Sequence, residues 1–326
     1  MRGKHILVPE TTVLTEKTIE FIKQNNEQLF LFIAQEDSAR ESNSWENAVQ
    51  EKYENAVARV KDFFSITSIT KEVSITEMND LAKYTLDNLL KENFVLQSLK
   101  NLQDADDYTY RHSINVGVLS GILAKWLKYD DEKLFKVVLS GLLHDIGKSQ
   151  IPLEILNKPG KLTDEEMFVM RKHTEYGYEL LKNVPELAEE VKLAALQHHE
   201  RIDGKGYPNR LKEEEIHPFA KIVAVADTYD AVTSNRVYQE ARSPFSLLDI
   251  LQEEMFVCLD AQICLLMLTQ IKNNLIGRNV ITADGRKAKV VFIGSQVSDG
   301  MILKAENGEL INVAMREYRN FQSYLN

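Results

Sequence analysis

Seven histidines occur in the 326 residues, and five of them, His112, His144, His173, His198 and His199, fall on neighbouring stretches of helical apolar spacing. His144 is followed directly by Asp145 in Leu142-Leu143-His144-Asp145-Ile146-Gly147-Lys148. Imidazole is the commonest metal ligand, and a His-Asp dipeptide at a helix end offers one nitrogen together with a carboxylate that can bridge two cations. A single histidine on an apolar face is ordinarily a hydrogen-bonded core residue. Five on adjacent helices, with the adjacent pairs His144-Asp145 and His198-His199, point instead to a metal site. His5 and His217 sit outside the pattern and are read as ordinary polar residues.

Length and composition bound what can surround such a site. A chain this long suits one large core with smaller attachments. Its two cysteines, Cys258 and Cys264, lie on an apolar helical stretch without C-x-x-C spacing. Neither a zinc knuckle nor a disulfide framework is expected, and the thiols read as core residues in a reducing compartment. The start, Met1-Arg2-Gly3-Lys4-His5-Ile6-Leu7-Val8, lacks the apolar core of a signal peptide. No run approaches the roughly 18 to 20 apolar residues that span a bilayer, so a cytoplasmic location and no membrane partner are expected. The net charge of −10 argues against a nucleic-acid polymer as partner, because displacing its counterions needs a basic face. A small anionic ligand is still allowed, since metal ions and a few placed cations create local positive potential.

Three regions are expected. Residues 1–42 read as a small α/β segment, with strands near Ile6–Val8 and Leu29–Ile33 and a helix from Thr15 to about Gln24; Gln35–Ser44 resembles a linker. Residues 43–272, with a core at 100–272, read as a helical domain. The spacing predicts helices over about Trp45–Phe64, Thr76–Leu102 and Tyr110–Leu127, the last carrying His112, Val116, Leu119, Leu123 and Trp126 on one stripe. A helix from Asp131 brings Val137, Gly141 and His144 to one side, with Gly147 in a C-terminal stop position. Thr163-Asp164-Glu165-Glu166 has the form of a capping box, opening a helix expected to carry His173 near its middle. Pro185 is expected to begin a helix ending at His198-His199, and Ile222–Thr233 another that carries Asp227. In residues 273–326, alternating apolar residues around Asp284-Gly285, Asp299-Gly300 and Asn307-Gly308 predict β-hairpins forming a small meander or barrel. The fold class is therefore mainly α, with a small α/β segment before the bundle and a small β domain after it.

Helices can converge on one interior point from several directions, so ligands scattered from His112 to Asp227 are compatible with a single site. His144 and Asp145 lie about 100° apart around a helix and, near its end, both can reach a metal pair. A water between two cations bridged by Asp145 would be hydroxide near neutral pH, and phosphorus in a phosphodiester is its natural electrophile. Lys148 has two readings: a cation neutralising a phosphate oxygen, or a solvated lysine after a helix stop.

The ordered set Tyr108-Thr109-Tyr110-Arg111-His112-Ser113, His144-Asp145-Ile146-Gly147-Lys148, Lys158-Pro159-Gly160-Lys161-Leu162-Thr163, His173-Thr174-Glu175-Tyr176-Gly177, His198-His199-Glu200-Arg201-Ile202-Asp203-Gly204-Lys205-Gly206-Tyr207-Pro208 and Val225-Ala226-Asp227-Thr228-Tyr229-Asp230-Ala231 resembles the HD-GYP phosphodiesterases. These are a subgroup of the HD superfamily that degrades bacterial cyclic di-GMP. The resemblance spans about half the chain and is specific as an ordered set, although a lone His-Asp pair is weak evidence. It implies a helical catalytic domain holding two divalent metals, iron or manganese. His112, His144, Asp145 and Asp227 then resemble the ligands of one, and Asp145, His173, His198 and His199 those of the other. Tyr108 stands where some members have a glutamate for a third metal, which favours two.

The same resemblance makes Asp145 and Lys148 catalytic and gives Lys148, Arg236, Gly206 and Tyr207 contacts with substrate. Gln239 stands where members often carry a basic residue, which loosens the expected substrate choice. The loop Gly204-Lys205-Gly206-Tyr207-Pro208 would shape the pocket or dock a diguanylate cyclase, or is simply a structural turn. Glu200 and Asp230 would orient ligands or satisfy buried backbone. A homodimer is a further expectation. The implied activity is opening of cyclic di-GMP to pGpG, with GMP as a further product, by a hydroxide activated at the metal pair. Two alternatives stay open: a phosphohydrolase for another cyclic dinucleotide or nucleotide, and a non-catalytic sensor or adaptor.

Overall fold

A computed structural model describes residues 42–90, 108–233, 257–282, 285–294 and 300–313. The chain divides into two compact units, Met1–Arg40 and Glu41–Asn326, of which the second contains these residues. The expected strands and helix of the N-terminal α/β segment lie outside the described residues, as do Arg236 and Gln239.

Ten α-helices are present among the described residues: α1 (Ser42–Thr70), α2 (Ile75–Leu89), α3 (Tyr108–Trp126), α4 (Asp131–Leu143), α5 (Leu153–Leu156), α6 (Asp164–Arg171), α7 (His173–Lys182), α8 (Glu189–Gln197), α9 (Pro218–Thr233) and α10 (Ala261–Leu275). The centre of the bundle is α3. Every residue from His112 to Ala124 is buried, because α4, α9, α1 and α2 pack around it. A helix apolar on all sides is what a central position requires, and α3 shows it. The flanking helices are capped as their sequences demand: Asp130 accepts from Lys133 N at 2.8 Å before α4, and Asp260 accepts from Ile263 N at 3.1 Å before α10.

The expected capping box before α6 forms. Thr163 Oγ1 accepts from Glu166 N at 3.3 Å, and Thr163 N donates to Glu166 Oε2 at 2.7 Å. The helix it opens is shorter than expected, however, and His173 is the first residue of α7 instead of lying mid-helix. Lys172 turns with its N–H on Val169 O at 3.1 Å, and the ring of His173 donates to Met170 O at 2.8 Å. The side chain thus uses backbone that a continuous helix would share, and the helix is interrupted at the candidate ligand.

Three other boundaries differ for local reasons. Pro185 does not open α8, because Glu186 adopts a positive φ of 63° and the helix begins at Glu189. Helix α9 starts four residues before Ile222, at Pro218, a residue suited to a first helical position because its missing N–H would be unpaired there. His217 caps this start, its Nδ1 accepting from Phe219 N at 3.2 Å. Gly147 is not a helix stop: it lies in a 3-10 turn over Ile146–Gln150. A Cβ there would come within 1.9 Å of His173 O, so only glycine lets this turn press against the start of α7.

The C-terminal sequence forms the expected meander: strands β1 (Asn279–Ile281), β2 (Lys287–Ile293), β3 (Met301–Ala305) and β4 (Leu310–Val313), antiparallel in the order β1-β2-β3-β4. Val290 pairs with Leu303, and Met301 with Val313, placing buried side chains on one face. Gly308 turns β3 into β4 at φ 85°. Cys264 is buried in α10, whereas Cys258 is buried in the turn before it.

Candidate metal centre

Five elements deliver seven side chains to one place. His112 comes from α3, His144 and Asp145 from the end of α4, His173 from the start of α7, His198 and His199 from the end of α8, and Asp227 from within α9. His112, His144, Asp145, His173 and His198 are each at most 3% exposed. Potential ligand atoms fall into close groups, His112–His144–Asp227, His173–His198–His199 and His144–Asp145–His198, within 4.8 Å of one another in each.

The backbone fixes which nitrogen of each imidazole is offered. His144 Nδ1 donates to Gly141 O at 2.7 Å, His173 Nδ1 to Met170 O at 2.8 Å and His198 Nδ1 to Ala195 O at 3.0 Å. A carbonyl only accepts, so each Nδ1 carries the proton and each Nε2 of a neutral ring presents a lone pair. Those Nε2 atoms converge. His173 Nε2 lies 3.3 Å from His198 Nε2, and His144 Nε2 lies 3.3 Å from His112 Nε2.

Asp145 stands between the two groups and divides its oxygens. Oδ2 is 3.2 Å from His144 Nε2 and 3.5 Å from His112 Nε2, while Oδ1 is 3.3 Å from His173 Nε2 and 3.9 Å from His198 Nε2. Among the described residues Oδ1 has no hydrogen-bond donor although it is fully buried. An ionised oxygen facing lone pairs is costly unless a cation lies between them. The donor set therefore fits divalent cations, and mixed imidazole and carboxylate donors suit iron, manganese, zinc or nickel.

Electrostatics agree with that fit. Burial alone would raise the Asp145 carboxyl, but His144, Lys148 and His173 outweigh it and hold the pKa well below the usual carboxylate range. Burial pushes His173 down to about 4 and His199 down to about 3. His198 is also pushed well down, first by burial and then by the imidazoles beside it. These three rings are neutral donors at ordinary pH. His112 differs: burial would lower it, yet hydrogen bonds to Asp227 and Asp230 carry it up to about 9.

Groups outside the cluster hold it in place. Asp230 Oδ2 accepts from His112 Nδ1 at 2.7 Å, and its Oδ1 accepts from Asn115 Nδ2 at 2.7 Å. Of the two acids read as ligand-orienting or backbone-satisfying, Asp230 does the first and Glu200 the second. Glu200 accepts from Asn209 N at 2.6 Å and Leu211 N at 3.0 Å, closing the loop that contains Gly206. Lys148 Nζ contacts Asp145 Oδ2 at 2.5 Å, and its side chain is 21% exposed, so it is neither buried nor a freely solvated lysine.

Gly206 and Tyr207 frame one side. A Cβ on Gly206 would meet Arg201 N at 2.4 Å, Glu200 Cα at 2.5 Å and His199 O at 2.6 Å, so the loop closes over the backbone at its own start only with glycine. Tyr207 N donates to His199 O at 3.2 Å, and the Tyr207 ring stacks on His199 with centroids 4.7 Å apart. The guanidinium of Arg171 lies 5.2 Å from the same ring centroid. Neither Asn115 nor Arg171 was expected from the sequence. The available signal for Asn115 was its position three residues after His112, on the same helical face.

An HD domain family model matches residues 95–263. The chain is 40% identical over 185 residues to a cyclic di-GMP phosphodiesterase of Pseudomonas aeruginosa, covering 57% of this chain and 45% of that protein. It is 42% identical over 159 residues to a cyclic di-GMP phosphodiesterase of Thermotoga maritima, covering 46% of this chain and 42% of that one. It is also 46% identical over 99 residues to a 3'3'-cGAMP-specific phosphodiesterase of Vibrio cholerae, covering 30% of this chain and 19% of that one. The matches span less than half the length of these curated relatives. Among solved structures, an HDG"Y"P protein from Bdellovibrio bacteriovorus superimposes with a TM-score of 0.58 at 19% identity, over 73% of this chain and 74% of that one, a likeness of fold. No helix among the described residues is long and apolar enough to cross a membrane.

Proposed function

This chain belongs to the HD domain family, and from that premise we propose that it is a metal-dependent phosphodiesterase that opens cyclic di-GMP to pGpG, with GMP as a further product. The observation that carries the reading is the division of Asp145 between two groups of imidazole nitrogens. The resemblance of about two-fifths identity to two cyclic di-GMP phosphodiesterases supports the substrate.

In this proposal His112, His144, Asp145 and Asp227 hold one cation, and Asp145, His173, His198 and His199 hold the other, iron or manganese in each case. Two bound cations would supply a water of lowered pKa and offset charge building on the phosphoryl oxygens. The chain's own residues prepare that chemistry. Asp145 stays ionised against its burial and so holds both positions with one group. Asp230 fixes the orientation of the His112 ring. Lys148, partly exposed beside Asp145, places an ammonium where a non-bridging phosphate oxygen of the substrate would sit. Tyr207, stacked on His199, offers an aromatic edge to the bound nucleotide, and Gly206 sets its position. Arg236 is assigned a second phosphate contact from the sequence resemblance.

The test is turnover by protein loaded with Fe2+ or Mn2+ under anoxic conditions, with pGpG as the expected product. Asp145→Asn is expected to lose more than about 100-fold in kcat while keeping its far-ultraviolet circular dichroism. Full activity in that variant would remove the bridging role.

A second substrate reading has its own support in the resemblance to a 3'3'-cGAMP-specific phosphodiesterase and in Gln239, which stands where a basic residue is common in the family. Comparing kcat/KM for cyclic di-GMP, cyclic di-AMP and cyclic GMP-AMP decides between them, since selectivity is a ratio of transition-state affinities. A homodimer, a diguanylate cyclase docked at the Gly206–Tyr207 loop and a cytoplasmic location extend this proposal on the strength of the sequence resemblance.

A further inference from the structure

Helix α1 lies outside the matched residues 95–263, yet a polar path runs from it to the cluster. Tyr53 is fully buried on α1, and its hydroxyl donates to Asn115 Oδ1 at 2.7 Å across 62 residues of sequence. Asn115 then donates through Nδ2 to Asp230 Oδ1 at 2.7 Å, and Asp230 Oδ2 accepts from His112 Nδ1 at 2.7 Å. The Asp230 carboxylate only accepts and so takes the amide nitrogen of Asn115, while the Tyr53 hydroxyl supplies the donor that the buried amide oxygen then needs. Without that hydroxyl the buried Asn115 oxygen would lack this donor, and the amide would hold Asp230, the partner of His112, less firmly.

A second contact anchors the same helices. Glu54, next to Tyr53, receives both terminal nitrogens of Arg111 at 2.9 Å each, and Arg111 directly precedes His112. The Arg111 guanidinium carbon also lies 5.7 Å from the Tyr53 ring centroid. Residues on both sides of His112, Arg111 before it and Asn115 one turn after it, are therefore held by adjacent residues of α1. Packing alone would need no hydroxyl here. A phenylalanine would fill the same volume, whereas tyrosine adds a buried hydroxyl that donates to Asn115 and also interacts with Arg111.

We propose that Tyr53 is a positioning residue for the metal centre, acting through Asn115 and Asp230 on His112, so that the helix preceding the HD domain sets the affinity of the His112–His144–Asp227 position. The inference rests on the metal-dependent reading above and adds to it a residue and an element outside the matched domain. Outer partners of a metal-bound histidine commonly change affinity by about 10- to 100-fold when lost. The effect here is transmitted through two intermediates, and the lower figure applies.

The experiment is a Mn2+ titration of metal-free full-length protein, followed by electron paramagnetic resonance, comparing the unsubstituted chain with Tyr53→Phe. The expected result is that one of two binding steps weakens about tenfold while the other moves less than twofold. Asn115→Ala is expected to weaken the same step, and the double variant to add little, because both substitutions interrupt one path. Two unchanged steps in Tyr53→Phe overturn the inference. So do equal losses in both steps, which describe a general loosening of the bundle. Absence of Mn2+ binding by the unsubstituted chain would remove the metal reading itself, and this inference with it.

Discussion

The Nε2 atoms of His173 and His198 face each other at 3.3 Å while both Nδ1 atoms donate to backbone carbonyls. Neither ring has a proton to place between them, because burial lowers His173 to about 4 and, with the neighbouring imidazoles, pushes His198 well below its ordinary value. Two facing lone pairs repel, and the arrangement is held by the backbone of α7 and α8 at the expense of stability. His173 and His198 would instead offer both lone pairs to a bound cation, which would relieve that repulsion.

Metal loading is therefore expected to stabilise the fold. At a free Mn2+ concentration of about 100 times Kd the gain is about 2.7 kcal/mol, which corresponds to a rise in Tm of roughly 5 °C for a protein of this size. Differential scanning fluorimetry in chelator and in Mn2+ reads it directly. His198→Ala, which removes one of the facing donors, should lose most of the shift. An identical melting curve with and without metal would contradict a built cation site.

A pH dependence follows from His112. In the metal-free protein its pKa is raised to about 9, against burial, by hydrogen bonds to Asp227 at Nε2 and Asp230 at Nδ1. A raised folded-state pKa contributes stability to the metal-free form that is complete below about 6.5 and disappears as pH climbs through about 9. For metal uptake the sign is opposite, since a cation at Nε2 must displace the proton. Affinity at this position should rise roughly tenfold per pH unit between pH 7 and 8 and flatten above about 9. Calorimetry in buffers of different ionisation enthalpy should show about one proton released for the cation bound at this position. No release at pH 7.5 would mean His112 is already deprotonated.

The candidate ligands were legible in the sequence because their chemistry allows few residue types and their order along the chain is distinctive. His112, His144, Asp145, His173, His198, His199 and Asp227 do converge. What pattern alone missed was set by contacts between distant segments. The break at Lys172 depends on a side chain donating to a carbonyl three residues back, which apolar spacing does not record. Gly147 carries the mark of a helix stop, but its use is a close approach to His173 O, visible only once α7 is placed. Glu200 and Asp230 are both acids following a candidate ligand by one and three residues, and their opposite roles arise from which backbone and ring groups the fold turns toward them. Tyr53 is one of 12 tyrosines, so nothing in composition singles out its hydroxyl.

Gly206→Ala tests the loop. Its added methyl would meet three backbone atoms within 2.6 Å, none of which can rotate away as a side-chain tip could. The loop must shift, taking Tyr207 off His199 and disturbing the two backbone bonds accepted by Glu200. The expected cost is about 1–3 kcal/mol of stability, read as a lower midpoint in urea. An accompanying loss of about tenfold or more in kcat/KM is expected from displacement at the site, since small misplacements of reacting groups are costly. An unchanged midpoint and unchanged kinetics would show that the loop closes with room to spare.

Lys148 separates substrate contact from metal support. Its ammonium reaches Asp145 Oδ2 yet remains partly exposed, so its removal should weaken the hold on Asp145 slightly and the hold on a phosphate strongly. Lys148→Met keeps the length and apolar stem of the side chain and deletes the charge. If the ammonium stabilises charge that accumulates on the phosphoryl group, kcat/KM should fall about 100- to 1,000-fold, mostly in kcat, with Mn2+ affinity changing less than about tenfold. Lys148→Arg should recover part of that loss, because the charge returns with a different geometry. A variant that binds metal poorly but turns over normally once saturated would assign Lys148 to holding Asp145 instead. Steady-state kinetics at saturating metal, paired with the metal titration, distinguishes the two outcomes through a single substitution.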